Sequence, residues 1–488
     1  MTTAVLPTHP SLTDGARQIL LTYLAISALV ILLMMVAGLI LRIGQAQWIQ
    51  LPADFFYQVM TAHGIGMVGI AALAASAVMW FFLSQQVHLS PAILVTNLIF
   101  FLLGVVLILG AIFLGGFAAA WTFLYPLPAQ NMHQWGTGAA VSYMLGVLLV
   151  GVGFLLLYLD VGRAIISKYG SLGRGLGWPQ LFSNSSEPPP PAAVVASTMV
   201  VIVNIVSILV GAVVLVLTLV NLLNPGFVLD ALLVKNMIYV FGHIFINATI
   251  YQSIIVVYEL LPRYTGRPWK VTKPFLAAWT ASTLLVISVY PHHLLMDFVM
   301  PGWVLLIGQI GSYIAGLPLL VVTAYGAAVI VNRSGIRWDL VSGLCFLGVW
   351  GWAAGILPAI VDAVIPINSV MHNTLWVPGH FHFYALLGLV AMLVAFMRHI
   401  TQGAGNGVSP LDKLAFWAFA IGGLGFVIMF LWGGLDSVPR RWAVHLPEWL
   451  GLNQAGSIFA AVVVLATLVL LLRFFQQLKN VQIVHEES

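Results

Sequence analysis

Twelve long apolar stretches are the feature that most constrains this chain of 488 residues. Each is close to or above the roughly 20 residues that a helix needs to cross a bilayer. Only 7% of the residues are charged, against about 25% in soluble domains, so the chain cannot cover a surface that faces water. We therefore predict an all-α integral membrane protein, one membrane domain over 1–488 with twelve transmembrane helices, and exclude soluble, disordered and nucleic-acid-binding classes. The predicted helices cover 18–42, 57–83, 93–118, 137–160, 194–222, 233–262, 273–300, 303–332, 338–365, 370–398, 412–434 and 453–477.

The distribution of Lys and Arg supports this count and orients the chain. With both termini on the cytoplasmic side, only Arg42, Lys235, Arg440 and Arg441 of the 18 cations fall in outer segments, while the others, from Arg17 to Lys479, lie inside. This asymmetry follows the positive-inside rule and predicts a multi-pass protein of the cell membrane. Residues 183–193, rich in Pro and Ser, are predicted to form an extended cytoplasmic linker.

Six of the thirteen histidines lie well inside predicted helices. They are His63, His243, His292, His293, His380 and His382. A single intramembrane histidine is often a hydrogen-bonding group between helices, and that alternative applies to each of them. The helix directions, however, place all six at one depth, in the outer third of the membrane. A shared layer is expected of ligands to neighbouring cofactors rather than of scattered structural residues.

Two spacings refine this prediction. His380 and His382 point about 200° apart on a helix, so they serve two different centres and not one metal. His292 and His293 are adjacent, and one ion can take both only if the backbone bends, for which Pro291 supplies a reason. His243 would complete a three-histidine site, and neutral imidazoles suit copper, iron or zinc.

Arg440 and Arg441 lie in the outer loop between predicted helices 11 and 12, above the histidine layer. Solvated cations or headgroup anchors are the simpler interpretation. Paired guanidinium groups also suit bidentate binding of carboxylates, and haem propionates are carboxylates expected at this height.

The motifs TAHG at 61–64, FGH at 241–243, PHH at 291–293, HNTLWVPGHFHF at 372–383 and VPRR at 438–441 resemble those of a known family. This family is the catalytic subunit I of the haem–copper oxygen and nitric oxide reductases. Among its branches, the motif at 372–383 is most similar to that of the B-type oxidases. The resemblance extends over nearly the whole chain and implies a respiratory oxidoreductase with the twelve-helix fold of that subunit.

The resemblance also implies a role for each motif residue. His63 and His382 would be the axial ligands of a low-spin haem, and His380 the proximal ligand of a high-spin haem. His243, His292 and His293 would hold the non-haem metal, with copper favoured over iron. The propionates would be held by Arg440 and Arg441, near His372 and Asn373.

One departure from the family bears on the substrate. Most oxygen reductases of this type have a tyrosine four residues after the first metal-binding histidine of helix 6, and here that residue is Asn247. Tyr251 lies about 12 Å from His243 along the helix, too far for a cross-link. Another branch places its tyrosine six residues before the histidine pair, where this chain has Val286, and Tyr290 is the nearest substitute.

The missing tyrosine favours reduction of nitric oxide to nitrous oxide and water, as in denitrification. Joining two NO molecules needs two electrons, which two facing metals supply, whereas splitting dioxygen needs four and a further donor. Asn247 is accordingly predicted to be part of the catalytic site. Familiar NO reductases of the family that this chain resembles have a metal-ligating Glu at the same position of helix 6. Here Asn247 stands at that position, and its neutral amide is a weaker ligand. Asp297, one turn after His293, is either a nearby acid or a surface residue.

Two alternatives remain at this point: a B-type cytochrome c oxidase subunit I that reduces O₂ and translocates protons, and a twelve-helix secondary transporter that binds no cofactor. For the reductases, Thr249, Tyr251, Gln252 and Glu259 could carry protons from the inner side, or simply bond helices together. The single cysteine, Cys345, cannot build a dinuclear copper centre. Electrons must therefore come from a subunit II-like partner on the outer side that carries copper or c-type haem.

Overall fold

The computed structural model describes residues 13–183, 185–297, 299–402 and 408–478. Twelve helices in these ranges are long and apolar enough to cross a membrane, which confirms the predicted fold class. We number them α1 to α12. They are Asp14–Gln45, Ala53–Ser84, Pro91–Leu114, Thr137–Tyr169, Ala192–Leu223, Ala231–Thr265, Lys273–Leu294, Gly302–Val331, Leu340–Asp362, Trp376–Thr401, Pro410–Leu435 and Pro447–Leu478.

Three helices form the centre of the bundle. The most apolar windows of α2, α6 and α10 are 67%, 78% and 89% buried, whereas those of the other nine helices are 50% buried or less. Helix α6 packs against both α2 and α10, and α9 covers α10 from the other side. The central three helices carry four of the six intramembrane histidines, so the protein itself separates these polar side chains from lipid.

Several helix ends differ from the prediction. Helix α10 begins at Trp376 and not at 370, because a separate short helix, Ile365–Met371, precedes it. Helix α9 ends at Asp362 rather than 365, and α3 ends at Leu114 rather than 118. The short helix has Pro366 in its first turn, where the missing N–H costs nothing.

Helix α7 breaks at the predicted proline. Its α-helical part ends at Ser288, and a 3₁₀ turn over Tyr290–Leu294 follows, so the predicted end at 300 is wrong. The predicted bend at Pro291 is confirmed, because the 3₁₀ turn contains Pro291, His292 and His293.

The predicted linker 183–193 is shorter than expected, since α5 begins at Ala192. Residues 188–191 contain no helix, and the linker's Glu187 lies 3.9 Å from Arg174. Residue Asn184 of this linker and the inner cation Lys479 lie outside the described residues.

Candidate metal and cofactor site

One cavity of about 570 Å³ lies among α1, α2, α6, α7, α9 and α10. All six intramembrane histidines line it, so the structure brings together the residues that the sequence placed in one layer. Its wall also includes His372, Asn247, Arg440 and Arg441. Asn373 is not among the lining residues, but its backbone oxygen accepts a hydrogen bond from the Arg440 amide at 3.0 Å.

The first group in this cavity is a cluster of three imidazoles. His243, His292 and His293 each present a ring nitrogen, and these three atoms lie within 4.8 Å of one another. The ring centroid of His243 lies 4.7 Å from that of His292 and 5.2 Å from that of His293. Three neutral nitrogen ligands at this spacing fit one copper, iron or zinc ion, with a position left open for substrate.

The 3₁₀ turn of α7 makes this cluster possible. It lets the adjacent rings of His292 and His293 approach to 4.3 Å between centroids. Helix α8 supports the turn from behind, since Ser312 Oγ lies 2.7 Å from His292 Nδ1. Gly308 permits that close packing, because an added Cβ would lie 2.8 Å from the His292 amide nitrogen.

Asn247 lies one turn after His243 and beside the cluster. Its Nδ2 donates a 2.8 Å hydrogen bond to the His243 carbonyl and lies 3.4 Å from His243 Nε2. The amide therefore lies in the cavity wall next to the three-histidine cluster.

His63 and His382 form the second group. Their Nδ1 atoms lie 2.7 Å from the Met34 carbonyl and 2.6 Å from the Pro378 carbonyl. These acceptors fix Nδ1–H as the donor in each ring, which leaves Nε2 as the atom available to a metal. Gly38 of α1 lies against the His63 ring, where a Cβ would come within 2.8 Å of Cε1.

His380 and His382 have different neighbours, as the two-residue spacing predicts. The ring of His382 faces α11 and lies 5.2 Å from that of Phe430. His380 Nδ1 lies on the α9 side, 4.0 Å from Asp362 Oδ2. A wide π-helical segment, Phe383–Val390, follows immediately. Such segments are frequent at functional sites. They change the directions in which nearby side chains point.

Cations and one neutral imidazole close the outer end of the cavity. Arg440 Nη2 lies 3.5 Å from Asn373 Oδ1, and the Leu375 amide donates to the Val438 carbonyl at 2.9 Å, which ties the two outer loops together. Burial and the charge of Arg441 lower the pKa of Arg440 to about 10, so it stays cationic at neutral pH. Burial and the charge of Arg440 lower the pKa of His372 to about 4, so that ring is neutral.

The sequence analysis missed three cavity residues. Arg42, counted there as an outer cation, lies inside α1 with 4% of its surface exposed. It bonds to Gln45 at 2.8 Å and to Asn453 at 3.1 Å. Tyr239, one turn before His243, stacks on His293 with ring centroids 5.0 Å apart. Trp121, in the loop after α3, lines the same cavity. Local residue spacing does not predict these positions. The pairing of Arg42 with α12 and the fold of this loop depend on residues that are distant in the sequence.

Other predicted residues lie further from the cluster. Tyr290 donates to Asn236 at 3.1 Å, and Asp297 pairs with Lys235 at 2.7 Å. Neither Tyr290 nor Asp297 is among the lining residues of the cavity. Tyr251 and Thr249 line it, while Gln252 is fully buried and lies 3.5 Å from Ser76.

The cavity fits the groups that the motifs imply. Its wall offers one pair of imidazoles with Nε2 available, one separate imidazole, and cations at the outer end for carboxylates. Gly38 gives the His63 ring the space that it occupies, since a Cβ there would contact the ring. The buried Nε atoms of Arg42 and Arg440 and the Nδ1 of His380 have no hydrogen-bond partner among the described residues. Buried polar atoms without partners are expected where a polar group binds.

Residues 18–466 match the model of the family described as cytochrome c and quinol oxidase polypeptide I. The chain belongs to this family. It is therefore a multi-pass membrane protein of the haem–copper type, and the transporter alternative loses its support.

Relatives in this family are distant in sequence. Cytochrome c oxidase polypeptide 1 of Halobacterium salinarum is 23% identical over 381 residues, which cover 75% of this chain and 60% of that protein. Cytochrome c oxidase subunit 1 of Thermus thermophilus is 25% identical over 281 residues, 53% of this chain and 50% of its own length. The chain thus spans about half to three-fifths of these relatives.

The fold is similar to that of a solved heme-copper terminal oxidase dimer. The TM-score is 0.76 at 19% sequence identity, and the similarity covers 96% of this chain and 84% of that one. At this identity the comparison supports the predicted subunit I fold and leaves the substrate open.

Proposed function

We propose that this chain is the catalytic subunit of a respiratory nitric oxide reductase. The reaction joins two NO molecules and consumes two electrons and two protons, yielding one N₂O and one water. The protein would lie in the cytoplasmic membrane with both termini inside, as the cation distribution favours. A partner subunit on the outer side, with copper or c-type haem, would supply the electrons.

The observation that carries this proposal is the amide of Asn247 beside His243. In the oxygen reductases that the motifs resemble, a tyrosine at this place supplies an electron and a proton for O–O cleavage. An asparagine side chain supplies neither at neutral pH. Coupling of two NO molecules needs no electron donor beyond the two metals. The substitution is therefore compatible with NO reduction and unfavourable for O₂ reduction.

The residues have separate tasks in this proposal. His243, His292 and His293 would hold the non-haem metal, His380 the facing high-spin haem, and His63 with His382 the low-spin haem. When bound, these groups supply the redox chemistry. Ser312 and the backbone acceptors hold the imidazoles in fixed tautomers and orientations. Asn247 lines the cavity beside His243 and would offer its amide group to a molecule bound there.

Reduction of O₂ is the second candidate, and one observation favours it. Tyr239 lines the cavity and stacks on His293 at 5.0 Å, so a phenol lies near the cluster although position 247 lacks one. The distant relatives named above are oxidases. Tyr239 would then have to supply the electron and proton that the family's helix 6 tyrosine supplies.

A gas assay on the purified complex, with its partner subunits and one chosen reduced donor, separates the two candidates. We expect one N₂O for every two NO consumed and slow O₂ uptake. Rapid O₂ uptake with negligible N₂O would overturn the proposal. The matched control is His243→Ala, which should remove either activity while leaving the low-spin haem spectrum intact.

A second measurement addresses the tyrosine directly. Mass spectrometry of proteolytic peptides should show no covalent link between His243 or His293 and any tyrosine. A cross-linked His–Tyr239 peptide would favour O₂ reduction instead.

A further inference from the structure

The carboxyl group of Asp362 lies on the Nδ1 side of the His380 ring, and Asp362 is itself one of the residues that line the cavity. Asp362 is the last residue of α9, and its Oδ2 lies 4.0 Å from His380 Nδ1. Both side chains are mostly buried, with 13% and 19% of their surfaces exposed. Water therefore screens this pair only weakly.

His380 differs in its hydrogen bonding from three other histidines of the cavity. The Nδ1 atoms of His63, His382 and His292 each lie within 2.7 Å of an oxygen atom. His380 Nδ1 is buried and has no hydrogen-bond partner among the described residues. A buried N–H without an acceptor is costly, so the nearest strong acceptor is expected to take it.

Two acceptors are available to this N–H. One is Asp362 Oδ2, and the other is the Trp376 carbonyl, one turn earlier on α10. A carboxylate is the stronger acceptor, because charge-assisted hydrogen bonds are shorter and stronger than neutral ones.

The surroundings of Asp362 hold its carboxylate in this place. Asn368 Nδ2 lies 2.7 Å from the Asp362 carbonyl and 3.3 Å from Oδ1. Oδ1 is thereby engaged, and Oδ2 remains for His380.

We propose that Asp362 is a positioning residue that accepts the Nδ1–H of His380 and makes this imidazole a more basic ligand than its neighbours. This inference rests on the proposed role of His380 as the axial ligand of the high-spin haem. A carboxylate on the far nitrogen raises the basicity of a ligating histidine and fixes its ring orientation. A more basic ligand stabilises the higher oxidation state of iron, so Asp362 lowers the midpoint potential of this haem relative to a variant without the charge.

The test compares the full complex with its Asp362→Asn and Asp362→Glu variants. Resonance Raman spectra of the reduced complex report the iron–histidine stretching band, and a redox titration reports the high-spin midpoint potential. In Asp362→Asn we expect the band to move to lower frequency and the potential to become more positive. Asp362→Glu should return both toward wild type. Asp436→Asn is the matched control, since Asp436 is an exposed acid after α11, and it should change neither.

The outcomes separate this inference from the proposed function. An unchanged band and potential in Asp362→Asn would assign the N–H to the Trp376 carbonyl and overturn the inference, whatever gas the enzyme reduces. A wild-type complex without any high-spin haem would overturn the proposed function itself. If the Asp362→Asn complex fails to assemble, the iron–histidine stretching band of the wild-type complex provides the test. It should lie above that of a reduced haem bound to a neutral imidazole in solution, and coincidence with that reference would contradict the inference.

Discussion

Asn247 Nδ2 lies 2.8 Å from the backbone oxygen of His243 and 3.4 Å from the Nε2 of the same residue. One amide thus bridges the backbone and the ring of a residue in the three-histidine cluster. This contact holds the amide on the cavity side of α6, beside the proposed ligands of the non-haem metal.

Replacing Asn247 by Ala should reduce N₂O formation by about 10- to 100-fold, the usual cost of losing a group that supports a metal site. The three histidines remain, so metal content and haem spectra should not change. Rates are measured as N₂O produced per complex. Asn224→Ala, at the exposed end of α5, is the matched control. A full rate in Asn247→Ala would remove this amide from the mechanism.

Replacing Asn247 by Asp should alter which metal the cluster retains. A carboxylate next to three imidazoles adds a hard oxygen ligand, which suits iron better than three imidazoles alone. Elemental analysis of purified complexes should show a higher iron-to-copper ratio in the variant than in the wild type. An equal iron-to-copper ratio in both proteins would indicate that the side chain of residue 247 does not contact the ion.

Substitution of His243 by Ala should remove the non-haem metal and leave both haems. The two remaining rings of the cluster supply only two ligands, too few for a stable copper or zinc site. Metal analysis and an optical spectrum, taken on the same sample, measure the two effects separately. His133→Ala, an exposed histidine after α3, should change neither. Loss of haem together with the metal would indicate that His243 supports the whole cavity.

Gly38→Ala should disturb the low-spin haem selectively. The added Cβ would lie 2.8 Å from His63 Cε1, so the ring must turn away from its present position. We expect the low-spin absorption band to shift or weaken while the non-haem metal stays bound. Gly15→Ala, in the first turns of the same helix, has no atom within 4 Å of the new Cβ and is the matched control. An unchanged low-spin spectrum in Gly38→Ala would contradict the assignment of His63.

Arg440→Gln should lower the amount of haem retained per chain, and Arg440→Lys should lower it less. The guanidinium is one of three arginine side chains that line the cavity, and a neutral amide cannot balance the charge of a propionate. Haem per chain is measured after detergent purification. Arg337→Gln, an exposed arginine between α8 and α9, should retain the wild-type amount.

The sequence was sufficient for the parts of the site that local periodicity controls. Apolar length predicted the twelve helices, the spacing of His380 and His382 predicted their different neighbours, and Pro291 predicted the break that brings His292 and His293 together. These features depend on a few adjacent residues, so the sequence carries them directly.

Contacts between distant segments could not be predicted in the same way. The burial of Arg42 depends on Asn453, which lies 411 residues away. The position of Asp362 beside His380 depends on how α9 ends and on the short helix that follows it. Tyr239 shares a face of α6 with His243, but its stacking on His293 requires the packing of α6 against α7.

The single residue between His380 and His382 sets the spacing of two redox centres in the proposed enzyme. Both of these proposed ligands belong to one short helical segment, Trp376–His382, rather than to two separate helices. Thermal breathing of the bundle would therefore change the tunnelling distance between the two irons very little. Electron transfer between them should remain fast at any bilayer thickness or lateral pressure that leaves this short peptide intact.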